Sequence, residues 1–188
     1  MKRVAENERV PLRSFAFGLG LFSLACVGTN PPPEAAQKAS PPSFGGAQAP
    51  DFELRSLDGE SVRLGEHFGK DVVLVDFWAT YCEPCLLSLP HLDELYRKYK
   101  DSGFVVLGVA IDETALGNRV RVEAAKLRLT FPVLLDSETK VVARYNPKSS
   151  APYSVLIGRD GRILARREGY TVADRAELET EIRGALGL

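Results

Sequence analysis

The run Trp78-Ala79-Thr80-Tyr81-Cys82-Glu83-Pro84-Cys85 places two thiols one helical turn apart. It follows the apolar stretch Val72-Val73-Leu74-Val75-Asp76-Phe77. A buried strand leading into a Cys-x-x-Cys that opens a helix is an arrangement for thiol–disulfide exchange. The first thiol sits where helix amides point outward, and their partial positive charge favours a thiolate. An ordinary cysteine, with pKa about 8.5, is only about 3% ionised at pH 7. A fall of roughly 1.5 units makes it about half ionised, within the range of such motifs. Cys82 is therefore the expected attacking sulfur and Cys85 the buried resolving one. Between them, Pro84 fixes the helix start, and the Glu83-Pro84 pair tunes the thiolate and the potential. The anionic Glu83 opposes a very low thiolate pKa, which favours a reductant over a strong oxidant.

Other uses of the two cysteines fit less well. A closed zinc site needs four ligands, and beyond the pair the chain offers only Cys26, His67 and His91. Copper delivery would need a histidine late in the chain, and none follows His91. A bridge spanning two residues constrains little of the unfolded chain, so a purely structural disulfide gains little. No metal is expected. Phe77 and Trp78 read first as core residues, His91 as an exposed helix residue and His67 as a loop residue.

The elements that must position the pair follow from periodicity. Phe52–Leu54 and Val62–Leu64 alternate around Asp58-Gly59, a hairpin signal. Leu74 to Trp78 is too continuously apolar for an edge strand and should be central. Leu86, Leu89, Leu92, Leu95, Tyr96 and Tyr99 recur at helical spacing to about Lys100, with Pro90 expected to kink that helix. Phe104 to Ile111 reads as a second buried strand and Leu116 to Leu127 as an amphipathic helix. Phe131 to Leu134 is a short strand, and Lys140 to Tyr145 a short helix. Pro152 to Ile157 and Arg162 to Arg167 flank Asp160-Gly161 as a second hairpin. Asp174 is expected to cap a closing helix whose apolar face carries Leu178, Ile182 and Leu186. The predicted class is α/β, with a mixed sheet between helices.

The 188 residues, 45% hydrophobic and 26% charged, suit one domain plus an appendage. The net charge is −1, and nineteen basic residues face twenty-two acidic ones after position 48, without a basic stripe. Nucleic acid is not an expected partner. Residues 1–26 read as a leader: four basic residues precede the apolar stretch Phe15 to Ala25, too short to span a bilayer. Leu24-Ala25-Cys26 resembles a bacterial lipoprotein signal with Cys26 as the lipidated residue, although Ser23 replaces the usual leucine and Glu6 and Glu8 are unusual. A plain secretory signal or an uncleaved anchor is the alternative. Residues 27–48, rich in proline, alanine and glycine, read as an extended tether. Residues 49–188 form the domain.

Within that domain the chain resembles the thioredoxin superfamily, and within it the membrane-tethered, exported branch typified by TlpA and ResA. The resemblance covers about residues 48 to 186. It is carried by Ala49-Pro50-Asp51-Phe52, the run from Val75 through Cys85, Pro90, and Ala151-Pro152-Tyr153. It implies a thioredoxin fold with an N-terminal β-hairpin extension, and a cis-proline at Pro152 beside the cysteines. The backbone at Ala151 would pair with a substrate peptide, with Tyr81 and Trp78 completing the groove. Two positions depart from the branch. Ser88 stands where many ResA-type relatives carry a glutamate, and Tyr81 stands where tryptophan is usual. Asp76 instead occupies the place of thioredoxin's buried aspartate, where burial raises a carboxyl pKa toward neutrality.

These features imply an exported thiol–disulfide oxidoreductase without a bound cofactor. Cys82 would attack disulfides of exported proteins, Cys85 would resolve the mixed disulfide, and Asp76, through a water, would take the proton from Cys85. An oxidising compartment requires a membrane thiol electron donor to recharge the pair. Apocytochrome c before haem attachment is a substrate the resemblance suggests. Two alternatives stand beside this reading. One is a peroxiredoxin-like peroxidase, for which Thr80 is present but no upstream proline. The other is a peptide-binding module with idle cysteines.

Overall fold

The computed structural model describes residues 46–188. The leader, Cys26 and the tether up to residue 45 lie outside the described residues. Seven strands form one mixed sheet: β1 (Glu53–Ser56), β2 (Ser61–Arg63), β3 (Val72–Trp78), β4 (Phe104–Ala110), β5 (Val133–Leu135), β6 (Tyr153–Ile157) and β7 (Ile163–Glu168). The helices are α1 (Glu83–Tyr99), α2 (Gly117–Lys126), α3 (Val142–Tyr145) and α4 (Asp174–Leu186).

The strands lie in the order β2-β1-β5-β4-β3-β6-β7. β3, β4 and β5 are parallel, whereas β6 and β7 continue antiparallel beside β3. Every residue of β3 is buried, as its unbroken apolar run requires of a strand covered on both faces. Alternation along β3 sends Leu74, Asp76 and Trp78 to one face and Val73, Val75 and Phe77 to the other. On the second face Phe77 meets Tyr145 of α3 and Tyr153, with ring centroids 5.5 Å and 6.4 Å away. Tyr145 also makes an edge contact with Phe52. On the first face α4 contributes Leu178, which shares one cavity with Asp76 and with Ser88 and Leu92 of α1.

The N-terminal hairpin forms around Asp58-Gly59, with Leu54 opposite Val62. Ser56 Oγ accepts the N–H groups of Asp58 and Glu60, and Gly59 adopts φ +86°. This hairpin joins the main sheet because β1 pairs with β5. Ahead of it, Gln48, read as tether in the sequence, bridges to Arg162, and Ala49 N–H donates to Gly161.

The closing helix differs from expectation at its start. Asp174 is not the cap: it is the first helical residue, and its carboxylate accepts the N–H and Oγ1–H of Thr171 at 2.6 and 2.9 Å. The acid still faces the helix N-terminus, but it fixes the preceding turn instead. α1 runs unbroken through Pro90, whose missing N–H leaves the Leu86 carbonyl without its helical donor.

Candidate active site

The fold delivers the two cysteines through β3. After Trp78 the chain turns over Ala79 to Tyr81 and enters α1 at Cys82, which is the residue flanking the first helical turn. Cys82 and Cys85 are joined as a disulfide. Cys82 Sγ accepts the backbone N–H of Cys85 at 3.3 Å, so the sulfur lies at the positive end of a seventeen-residue helix. That is the electrostatic condition for a stabilised thiolate. Cys85 has no exposed surface, whereas Cys82 retains 8%. Cys82 is thus the more accessible residue of the pair.

Around Cys82 the neighbours divide by burial. Tyr81 is 69% exposed and stands outward beside the sulfur. Glu83 and Pro84 are exposed in the first turn of α1. Trp78 is fully buried, so it supports the turn from the core and presents nothing to a docking peptide. The Ala151–Pro152 bond is cis. Because Phe77 pairs with Tyr153, Pro152 lies one step beyond, level with the end of β3 that leads to Cys82. The Pro152 carbonyl accepts the N–H of Gly169, which ties this loop to the start of the segment before α4.

Asp76 is the buried acid of the site, 3% exposed, and its Oδ2 has no hydrogen-bond partner among protein atoms. Burial alone pushes its pKa up from the usual carboxylate range to about 8. Its strand neighbours are Gly108 and Ser154, neither of them charged. The side chain faces a cavity of about 250 Å³ shared with Ser88, Pro152 and Ser154. Ser88, in the place of the glutamate of many ResA-type relatives, donates to the Cys85 carbonyl at 2.9 Å. It braces the helix backbone behind the resolving cysteine.

Two side chains correct or extend the sequence reading. His91 is not an exposed helix residue: it is 6% exposed and lies against Tyr170, ring centroids 6.3 Å apart. Burial, then the Arg175 guanidinium, holds its pKa below the usual histidine value. Asp112 is a functional residue that the sequence reading does not single out. Its buried carboxylate accepts the Thr80 N–H and Oγ1–H, the latter at 2.5 Å, and pins the turn that carries Cys82. The one signal available was an acid directly after a buried strand. Thr80 is thereby committed to Asp112, away from any peroxidatic role at Cys82. Among the described residues no three His, Cys, Asp or Glu side chains converge as a metal site, and no helix is long and apolar enough to cross a membrane.

The Redoxin family profile matches residues 45–182, most of the chain and all of this site. The chain belongs to the Redoxin family. It is 34% identical to a thiol–disulfide oxidoreductase ResA of Bacillus cereus over 132 residues, 70% of this chain and 74% of that one. It is 38% identical to the Geobacillus kaustophilus ResA over 118 residues, 63% and 66% of the two chains. A crystal structure from Chlorobium tepidum, assigned as a thiol:disulfide interchange protein DsbE, superposes with TM-score 0.69 and 35% identity. That match covers 76% of this chain and 97% of the other. Similarity at this level, with the cysteine pair in place, makes this redoxin a thiol–disulfide oxidoreductase of the TlpA/ResA type on a thioredoxin fold.

Proposed function

We propose that this redoxin works as a reductase of disulfides in exported proteins. Cys82 thiolate attacks the substrate disulfide and releases one substrate sulfur as a thiolate. Cys85 gives its proton to the Asp76 carboxylate and attacks Cys82 Sγ, releasing the second substrate sulfur and closing the Cys82–Cys85 disulfide. Tyr81, Glu83, Pro84, Ala151 and Pro152 border the place where the substrate strand lies, with Ala151 offering its backbone to that strand. The observation that carries this reading is a slightly exposed sulfur on the helix N-terminus joined to a wholly buried partner, with a buried acid in the cavity lined by Ser88 of the same helix. Exposed Glu83 next to the sulfur favours the reducing direction.

The leader supports export, and a lipid on Cys26 would hold the domain at a membrane near a thiol electron donor that recharges the pair. Apocytochrome c is the substrate suggested by likeness to ResA. Trapping tests the reading: a full-length Cys85→Ala variant, expressed with its leader, should accumulate partner proteins bound through Cys82 and released by dithiothreitol. Recovery of apocytochrome c would establish that substrate. Absence of any covalent partner in cells that contain substrate contradicts the reading.

A further inference from the structure

The ladder registers set one residue from each of four neighbouring strands in a row beneath α1 and α4. Gly108 of β4 stands opposite Asp76 of β3, Asp76 opposite Ser154 of β6, and Ser154 opposite Arg167 of β7. Directly opposed residues project to the same face of a sheet. On the β4 side the row is closed, since a Cβ at Gly108 would lie 2.7 Å from the Phe131 ring. On the other side it opens, for Asp76, Ser154 and Arg167 all line the cavity. Its volume, about 250 Å³, exceeds the roughly 30 Å³ share of one water several times over.

We infer that Ser154 is a positioning residue for proton transfer, its hydroxyl linking the Asp76 carboxyl through cavity water to the rim at Arg167. The inference rests on the proposal that Asp76 takes the Cys85 proton. A hydroxyl suits the task because it donates and accepts at once. Ser88, across the cavity, has already committed its hydroxyl to the Cys85 carbonyl. Arg167 cannot relay a proton, since a guanidinium stays protonated. Its guanidinium is held by Glu181 at 2.8 Å and Glu177 at 3.4 Å, which fixes it as a wall and offsets its charge. The remaining charged or titratable groups around the cavity are Arg166, Glu168, Tyr170 and Asp174.

The Cys85 thiol proton moves to Asp76, and the Cys85 sulfur forms the bond to Cys82 Sγ as the bond from Cys82 to substrate breaks. The substrate sulfur leaves with the electron pair and is reduced, while the cysteine pair is oxidised. Neutral Asp76 then passes its proton by way of Ser154 and water to solvent, where the substrate thiolate is protonated.

The aromatic disulfide 5,5′-dithiobis(2-nitrobenzoate) separates the two halves. Mixing it with the reduced full-length Cys26→Ser protein gives one coloured thiolate when Cys82 forms the mixed disulfide and a second when Cys85 resolves it. Ser154→Val, which removes the hydroxyl and fills space, should leave the first burst unchanged and slow the second about tenfold. The pH midpoint of the second burst should rise by about one unit, because drier surroundings disfavour the carboxylate. Ser154→Ala should slow it by about threefold, and Ser154→Thr should keep the native rate; this pair decides the matter if the valine variant does not fold. A second burst unaffected in both the alanine and valine variants, while Asp76→Asn slows it, overturns the role of Ser154 alone. Equal slowing of both bursts also overturns it. A second burst unaffected by Asp76→Asn overturns the reading of Asp76, and the role of Ser154 falls with it.

Discussion

Asp76 is a buried carboxyl whose Oδ2 has no protein partner, and its protonation is coupled to folding. Its pKa of about 8 in the folded protein lies far above the ordinary carboxyl value near 4. Between those values the folded protein holds a proton that the unfolded chain has lost, so stability falls as pH rises through that window and levels off above about pH 8. Each unit is about 1.4 kcal/mol, so holding that proton on Asp76 costs the folded state roughly 4 kcal/mol at pH 7 relative to low pH. Asp76→Asn should match the native protein near about pH 4 and exceed it by a few kcal/mol near about pH 8, read from urea midpoints. The same variant should slow resolution of a Cys82 mixed disulfide by about a hundredfold while leaving its formation unchanged. A carboxylate that served only packing would change neither step. The cysteine pair is legible in the sequence from its spacing after a buried strand, and Asp76 through the resemblance to thioredoxin's buried aspartate. Burial of His91 is not legible, because one histidine in a helix carries no mark of the distant Tyr170 that lies against it. Asp112 was invisible for the same reason: its partner Thr80 is distant in sequence.

Elements position these residues through joints that sequence periodicity does not record. β3 was recognisable from its unbroken apolar run, and both hairpins from Asp-Gly turns. The second helix also fell near its expected place. What could not be read was how the segments are fastened. Asp112 ties the turn before Cys82 to the end of β4, Asp136 receives the N–H groups of Val141 and Val142 at the start of α3, and Asp93 receives the Thr130 N–H. Each is a buried acid serving backbone donors across a gap between elements. Removing one leaves buried N–H groups unpaired, at about 1–3 kcal/mol. Asp112→Ala should therefore lower stability by about 2 kcal/mol in urea denaturation. It should also raise amide hydrogen exchange at Thr80, with little change at β6. Asp174 shows how a correct signal can be misplaced by one residue: an acid marks the helix start, yet its bonds go backward to Thr171.

Over the whole described domain, the N-terminal segment is part of the fold before the first strand begins. Gly46 accepts from Arg162, Ala47 from Ile163, and Ala49 is buried in the core. Tyr145 donates to the Pro50 carbonyl, and Arg144 to that of Asp51. Composition places residues 46–48 with the tether because glycine, alanine and glutamine carry no apolar period; they are held through their backbone by Arg162 and Ile163. A chain beginning at residue 46 should keep the denaturation midpoint of the full-length protein. One beginning at residue 52 should lose on the order of 3 kcal/mol, from several backbone hydrogen bonds and a buried alanine. Equal midpoints for the two would show that this segment does not hold the sheet edge.

The most direct test of the account is the pH dependence of alkylation at Cys82. With the protein reduced and Cys85 replaced by alanine, iodoacetamide should react with Cys82 at a rate whose midpoint lies at least about one unit below that of a free cysteine. Replacing the iodoacetamide with an oxidant in the native pair should restore the Cys82–Cys85 disulfide, and dithiothreitol should open it again. A midpoint at the free-cysteine value, together with a pair inert to dithiothreitol, contradicts the account.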